Sequence, residues 1–344
     1  MTAIKKKVFV GMSGGVDSSV VAAVLLKKGY DVEGITLLLT DAQKEYGNSD
    51  AQAVADVLGI PLHMIDIRKE FSEKVISYFV SEYRQGRTPN PCVVCNQTIK
   101  FGLMLDKAIE MGADYIATGH YAKIEEKEGH FLLKAADSAK DQSYFLYRLN
   151  QNQLSHIMFP LADMEKTDTR ELARKFNLPV AEKSDSQEIC FVPNDDYVSF
   201  LKDYANITSL PGDFVNLEGE KIGEHKGIIN YTIGQRKGLG AFGEPMFVTK
   251  IDAKTNEVVL APKGYQQGKD FIVENLCEPI KEETVLDVKI RYRASKVPAT
   301  IIPISEDTVK VVLHESQRAV TPGQSAVFYS DDTVISGGFI STEN

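Results

Sequence analysis

Val10-Gly11-Met12-Ser13-Gly14-Gly15-Val16-Asp17-Ser18-Ser19 is the stretch that decides the fold. A short apolar run, Val8–Val10, enters it as a strand, and a run of helical period from about Ser18 to Lys28, stopped by Gly29, leaves it. A strand that turns through glycines into a helix N-terminus offers backbone N–H groups and partial positive charge to a polyanion, so the stretch reads as a phosphate cradle. It has neither the Lys-Ser/Thr pair of a Walker A loop nor the glycine spacing of a dinucleotide fingerprint, which argues against ordinary kinases, GTPases and dehydrogenases. Its hydroxyls and the Asp17 carboxylate, a group able to hold Mg2+, set it apart from a glycine-rich turn that binds nothing.

Outward from this loop, short β-prone runs alternate with amphipathic stretches, the pattern of a parallel sheet covered by helices. Strands are expected at Val32–Leu39, Leu62–Ile65 and Tyr115–Thr118, and helices at Asp50–Leu58, Phe71–Tyr83 and Asn96–Met111. After Pro211-Gly212 the texture becomes short β runs: Phe214–Leu217, Met246–Lys250 and Val258–Leu260. Beyond Phe271, alternation at Leu286–Tyr292, Ala299–Ile304, Val309–His314, Ala326–Tyr329 and Val334–Ile340 predicts a closed β-barrel. A chain of 344 residues is long enough for two or three domains, and the expected divisions are 1–208, 209–268 and 269–344.

Composition narrows the function. With 39 basic and 48 acidic residues the net charge is -9, and no one of the three segments is basic overall, so any nucleic-acid contact must rest on local patches. No apolar run is long enough to span a membrane, and the apolar stretch after Lys5-Lys6-Lys7 is too short for a signal peptide, so the expected location is the cytoplasm. In that reducing setting the four cysteines, 92, 95, 190 and 277, are expected to be catalytic or metal-binding rather than a disulfide scaffold.

Two of these lie in Thr88-Pro89-Asn90-Pro91-Cys92-Val93-Val94-Cys95-Asn96, read as a proline-stiffened loop that delivers them to the start of a helix. There the partial positive charge would favour a thiolate. A structural zinc is the plain alternative for Cys-x-x-Cys, although no second paired motif completes four ligands. Cys190, in Ser186-Gln187-Glu188-Ile189-Cys190-Phe191, is the third candidate, and Cys277 reads as a small buried hydrophobe.

The Ser-Gly-Gly-x-Asp-Ser loop resembles the PP-loop of ATP pyrophosphatases, which cut ATP between its α- and β-phosphates. Together with Asn90-Pro91-x-x-x-Cys95-Asn96, Ala117-Thr118-Gly119-His120-Tyr121, Lys140-Asp141-Gln142-Ser143-Tyr144, Cys190, Gly234-Gln235-Arg236-Lys237-Gly238 and Pro322-Gly323-Gln324, it resembles the tRNA-specific 2-thiouridylases over almost the whole chain. That resemblance implies an α/β fold: a parallel-sheet PP-loop domain, adenine nucleotide α-hydrolase-like, then a small central β-rich domain and a C-terminal β-barrel that contacts tRNA. It also implies an enzyme that uses ATP and Mg2+ to adenylate uracil O2 of a tRNA wobble uridine, after which sulfur attacks C2 and expels AMP.

By the same resemblance, Gly11, Met12, Ser13, Gly14, Gly15, Val16, Asp17, Ser18, Leu37 and Gly119 bind ATP. Asn90, Pro91 and Cys92 face the target base. His120, Lys140, Asp141, Gln142, Arg291, Tyr292 and Gln324 contact tRNA. The residue matching Cys190 receives sulfur as a persulfide, and the one matching Cys95 releases it or closes a disulfide with it; a sulfur-donating protein or a sulfide source is the expected second partner. Many members carry Asp where this chain has Cys92. Cys92, Cys95 and Cys190 could instead hold three irons of a [4Fe–4S] cluster with the fourth iron open to sulfide, and the third soft ligand favours that route.

From the residues alone, Lys289, Arg291 and Arg293 would line one face of a strand, as a phosphate track or as a charged edge. Two other functions remain open at this point: a PP-loop ligase that adenylates a small molecule for amine transfer, and a nucleotide-binding protein without chemistry.

Overall fold

The computed structural model describes residues 5–41, 49–184, 189–205, 207, 209–265 and 267–341. They fall into two compact units, the first made of 1–75, 92–191 and 332–334, the second of 76–91, 192–331 and 335–344.

The first unit is built on a five-stranded sheet. Its strands are β1 (Lys7–Gly11), β2 (Asp31–Leu38), β3 (Leu62–Asp66), β4 (Tyr115–Ala117) and, after a β5–β6 hairpin (Lys123–Lys127, His130–Lys134), β7 (Ile157–Met158). The order is β3-β2-β1-β4-β7, and every pairing is parallel. Val8, Phe9 and Val10 are fully buried, as a central parallel strand covered on both faces requires. The helix α1 (Val16–Lys27) is apolar through most of its length and buries Val20, Val21, Ala22 and Leu25 against one face of the sheet, with α2 (Ser49–Leu58) beside it. Gly29, at φ +90°, ends α1 in a conformation that other residues rarely adopt.

Because β1 is flanked by β2 on one side and β4 on the other, the chain reverses its winding between β1 and β4. The crevice at the carboxyl ends of these two strands is where open α/β sheets bind ligands.

The second unit holds two β structures. A four-stranded sheet runs β10-β11-β8-β9, from β8 (Gly212–Val215), β9 (Lys221–His225), β10 (Met246–Asp252) and β11 (Glu257–Pro262), around Phe214, Tyr231, Val248, Val258 and Leu260. Six further strands, β12 (Gln267–Glu274), β13 (Thr284–Lys289), β14 (Val297–Pro303), β15 (Val309–Arg318), β16 (Ser325–Ser330) and β17 (Thr333–Ile340), follow one another as β12-β15-β14-β13-β16-β17. Pairing of Val273 with Ile340 joins β17 back to β12 and closes the barrel expected from alternation.

Three local expectations need correction. The helix that carries the paired cysteines begins at Pro91, not Asn96, and runs to Glu110 through a π-helical stretch at Asn96–Leu103. Proline is pre-set for the first helical position, so the proline-rich stretch is a helix start and Cys92 and Cys95 stand inside its first turns. The helix expected from Phe71 begins at Arg68 and passes through a π turn at Ser72–Ile76. The strand expected to reach Tyr292 ends at Lys289, because residues 290–296 turn the β13–β14 hairpin and the Ala294 amide donates to the Arg291 carbonyl at 3.1 Å. Lys289, Arg291 and Arg293 therefore do not share a strand face.

Candidate active site

The phosphate-cradle residues lie at the switch point of the first unit. The Met12 amide donates to the Ile35 carbonyl at 2.8 Å, so the loop leaves β1 still tied to β2. The side chains of Met12 and Val16 point into the core, whereas Ser13 is exposed. Gly14 has φ +69°, the turn that makes glycine necessary here. The Ser13 amide donates to Ser18 Oγ at 3.3 Å, and the Ser18 and Ser19 hydroxyls donate to the Gly15 carbonyl at 3.2 and 2.8 Å, which fixes the entry into α1. No side chain caps α1, whose N-cap is Gly15. Leu37 is half-buried near the carboxyl end of β2, where it pairs with Ile65.

Gly119 follows β4 and packs directly on this loop. A Cβ there would stand 2.7 Å from Asp17 Cβ and 2.9 Å from the Ser18 amide nitrogen. Gly119→Ala must push the two loops apart, and we expect it to cost about 1–3 kcal/mol of stability. It should also weaken ATP binding, measured by calorimetry beside a melting curve; an unchanged affinity and melting temperature would contradict this packing.

Sequence reading missed the cations around the loop. Lys166, at the start of α3 (Lys166–Lys175), places Nζ 2.6 Å from Asp17 Oδ1 and 2.8 Å from Oδ2, and the Tyr121 hydroxyl donates to Oδ1 at 3.0 Å. Lys183 donates to the Gly14 carbonyl at 3.0 Å and to Asp50 Oδ2 at 2.6 Å. Both oxygens of Asp17 thus bond protein groups in this arrangement.

The three candidate thiols also belong to the first unit, with Cys95 buried and Cys92 and Cys190 exposed. Desolvation pushes all three upward, Cys95 to about 12, the reverse of the lowering expected from a helix N-terminus. For Cys92 and Cys190, open to water on one side, solvent offsets part of that push. Lys100, on the π-helical stretch, is the cation that opposes it at all three, and sequence reading did not single it out. Its place five residues after Cys95 is one turn in π geometry.

Among the described residues no group of three His, Cys, Asp or Glu side chains is arranged to hold a metal ion. With no third ligand arranged beside it among the described residues, the Cys-x-x-Cys does not form a zinc site. Ser186, Gln187 and Glu188, quoted with Cys190, lie outside the described residues. Cys277 is half-buried, its Sγ 3.8 Å from the Ser336 hydroxyl.

Several residues expected to contact tRNA have internal partners. His120 is buried between Phe101 and Phe159, with Nδ1 2.7 Å from the Thr118 hydroxyl, and desolvation holds it well below the usual imidazole value. Its environment is that of a structural neutral histidine. Since an unfolded histidine titrates near ~6.5, this group adds stability above that pH and loses it as the pH falls towards its depressed folded value. We expect the melting temperature to drop between neutral and mildly acidic pH, with a shallower drop in His120→Gln; parallel pH profiles would contradict this.

Asp141 accepts from the amides of Ala136 and Ser143, and Gln142 Oε1 accepts from the Tyr121 amide at 3.0 Å, so both shape the loop that follows β4. Lys140, half-buried, donates its backbone amide to Ser138 Oγ.

In the second unit, Gln324 Nε2 donates to the Thr88 carbonyl at 2.8 Å, and the Thr88 amide donates to the Pro322 carbonyl at 2.9 Å. The barrel turn thereby holds the segment that leads to Asn90 and Pro91. Arg291 donates to the Thr321 hydroxyl and, at 3.3 Å, to the Ile233 carbonyl. Tyr292 lies under Lys289, whose Nζ is 5.5 Å from the ring centre. A cleft lined by Gly234, Arg236, Glu244, Pro245, Phe247, Lys263 and Arg318 carries three cations against one carboxylate, and of those cations only Arg236 stood in a motif read from the sequence.

Three family profiles match the chain: a "tRNA methyl transferase HUP domain" over residues 6–194, a "tRNA methyl transferase PRC-barrel domain" over 198–262 and an "Aminomethyltransferase beta-barrel domain" over 271–340. The chain is 47% identical over 357 residues to the tRNA-specific 2-thiouridylase MnmA 2 of Thermoanaerobacter sp. (strain X514), with 98% of each chain covered. It is 46% identical over 353 residues to the tRNA-specific 2-thiouridylase MnmA of Clostridium perfringens, again with 98% of each covered. The protein of the same name from Carboxydothermus hydrogenoformans is 46% identical over 356 residues at the same coverage.

Proposed function

The chain belongs to the family of tRNA-specific 2-thiouridylases, and on that premise we propose that it replaces O2 of a tRNA wobble uridine by sulfur in an ATP-dependent reaction. The observation that carries this reading is the pairing, within one unit, of a phosphate cradle at the switch point with Cys95 and Cys190. The profile descriptions speak of methyl transfer, but a methyl donor needs no pyrophosphate cradle and no pair of thiols.

The loop from Gly11 to Ser18, with Gly119 against it and Leu37 beside it, binds ATP. Uracil O2 attacks the α-phosphorus and pyrophosphate leaves, which makes O2 part of a good leaving group. The terminal sulfur of a persulfide on Cys190 attacks C2, the C2–O2 bond breaks, and AMP departs with that oxygen. The Cys95 thiolate then cleaves the S–S bond, leaving sulfur on C2 and a Cys95–Cys190 disulfide for an external thiol to reduce. Lys100 offsets the desolvation of these thiols. A [4Fe–4S] cluster on Cys92, Cys95 and Cys190 with one iron open to sulfide is the second route, and Cys92→Ala separates it from the relay. Cys95 is buried and its thiol raised, so the relay needs that thiol to be uncovered or deprotonated when substrate binds.

Under this reading residues 1–208 are the catalytic domain, 209–268 a small central domain and 269–344 a barrel for tRNA, with a protein that hands over persulfide sulfur as second partner of the relay, or a sulfide source on the cluster route. Asn90, Pro91 and Cys92 face the base. Lys140, Arg291, Tyr292 and the Arg236 loop supply tRNA contacts. The reaction belongs in the cytoplasm; no helix among the described residues is long and apolar enough to cross a membrane. The reading is tested by AMP formation: it should depend on tRNA, and AMP formation driven instead by an amine would favour a small-molecule ligase.

A further inference from the structure

We propose that Lys166 is a ligand of the β- and γ-phosphates, held in reserve by Asp17 until the nucleotide arrives. The inference rests on the nucleotide-binding reading above and deepens it.

A carboxylate at the mouth of a phosphate cradle is electrostatically unfavourable for a bound polyanion unless a cation compensates it. Here Lys166 Nζ bonds both Asp17 oxygens, at 2.6 and 2.8 Å, and the lysine is largely buried, its side chain 15% exposed. Its position is fixed by more than that ion pair. Tyr121 Oη donates to Asp17 Oδ1 and lies 3.0 Å from the Thr169 hydroxyl, so one phenol pins both the carboxylate and the first turn of α3. A second cation, Lys183, is bonded to the Gly14 carbonyl of the same loop.

An ammonium held this close to the cradle need only rotate about its own side-chain bonds to exchange a carboxylate for a phosphate oxygen. The exchange releases the Asp17 oxygens that are otherwise occupied. The expected ligand chemistry is therefore a pyrophosphate group, free or as part of ATP, and not the adenosine.

Calorimetric titration of the full chain with inorganic pyrophosphate, ATP and AMP, each in EDTA and in Mg2+, tests this. Loss of one charge-assisted contact should weaken pyrophosphate and ATP binding by roughly 10- to 100-fold in Lys166→Met. AMP affinity should stay within about twofold, Lys166→Arg should recover most of the loss, and melting curves should show both variants folded. Asp17→Asn, which removes the negative charge that holds the ammonium, should keep or raise pyrophosphate affinity in EDTA. The proposal is overturned if Lys166→Met binds pyrophosphate like the wild type, if it loses AMP equally, or if Asp17→Asn loses pyrophosphate affinity in EDTA as Lys166→Met does. A wild-type chain that binds neither pyrophosphate nor ATP would instead overturn the nucleotide reading itself.

Discussion

Cys190→Ala is expected to lower 2-thiouridine formation by roughly a thousandfold or more, because it removes the atom that carries the attacking sulfur. Cys95→Ala should stop turnover as well, with the sulfur left bridged between the base and Cys190. Pyrophosphate release from ATP in the presence of tRNA should persist in both variants, since ATP is held by the separate loop at the β1–β4 switch point. Cys92→Ala separates the two sulfur routes. A persulfide relay between Cys190 and Cys95 survives it, whereas a cluster would lose a ligand, so abolished thiolation together with iron and acid-labile sulfide in protein prepared without oxygen would contradict the relay. Quantifying thiolated nucleosides and pyrophosphate in parallel for the three variants decides the matter.

The second large effect is at Asp17. Asp17→Ala is expected to reduce ATP-dependent pyrophosphate release by about a hundredfold or more, in line with losing a group that orders a phosphate site. It removes the acceptor of both Tyr121 and Lys166, so two loops and the start of α3 lose a common tie. Removing the carboxylate that pairs with this largely buried ammonium should cost roughly 1–3 kcal/mol of stability. Ser13→Ala, at an exposed loop position, should impair the same reaction while leaving the melting temperature nearly unchanged. Full pyrophosphate release in both variants would remove the loop from the reaction.

What was legible in the sequence was what is local. The phosphate loop could be read because strand, glycine turn and helix start are contiguous, and the closed barrel because alternation along β14 and β15 is visible residue by residue. The start of the cysteine helix was not, since prolines signal a break as well as a first helical turn and only the fold decides between them. Arg291 was misplaced for a similar reason: alternating charge continues past Lys289, the last residue of β13, into a hairpin turn that alternation does not mark. Lys166 and Lys183 were invisible because they meet the loop from 149 and 169 residues away in the chain. His120 looked like a ligand at a strand end, and only packing shows Phe101 and Phe159 around it.

The most direct test of the central claim follows one oxygen atom. A tRNA carrying heavy oxygen at O2 of the wobble uridine is incubated with the enzyme, ATP and a persulfide donor, and both AMP and the digested nucleosides are weighed by mass spectrometry. Adenylation of O2 followed by sulfur attack at C2 predicts one labelled AMP for each 2-thiouridine formed. Thiolated uridine accompanied by unlabelled AMP, or AMP released with the label still on uridine and no sulfur gained, would contradict the account.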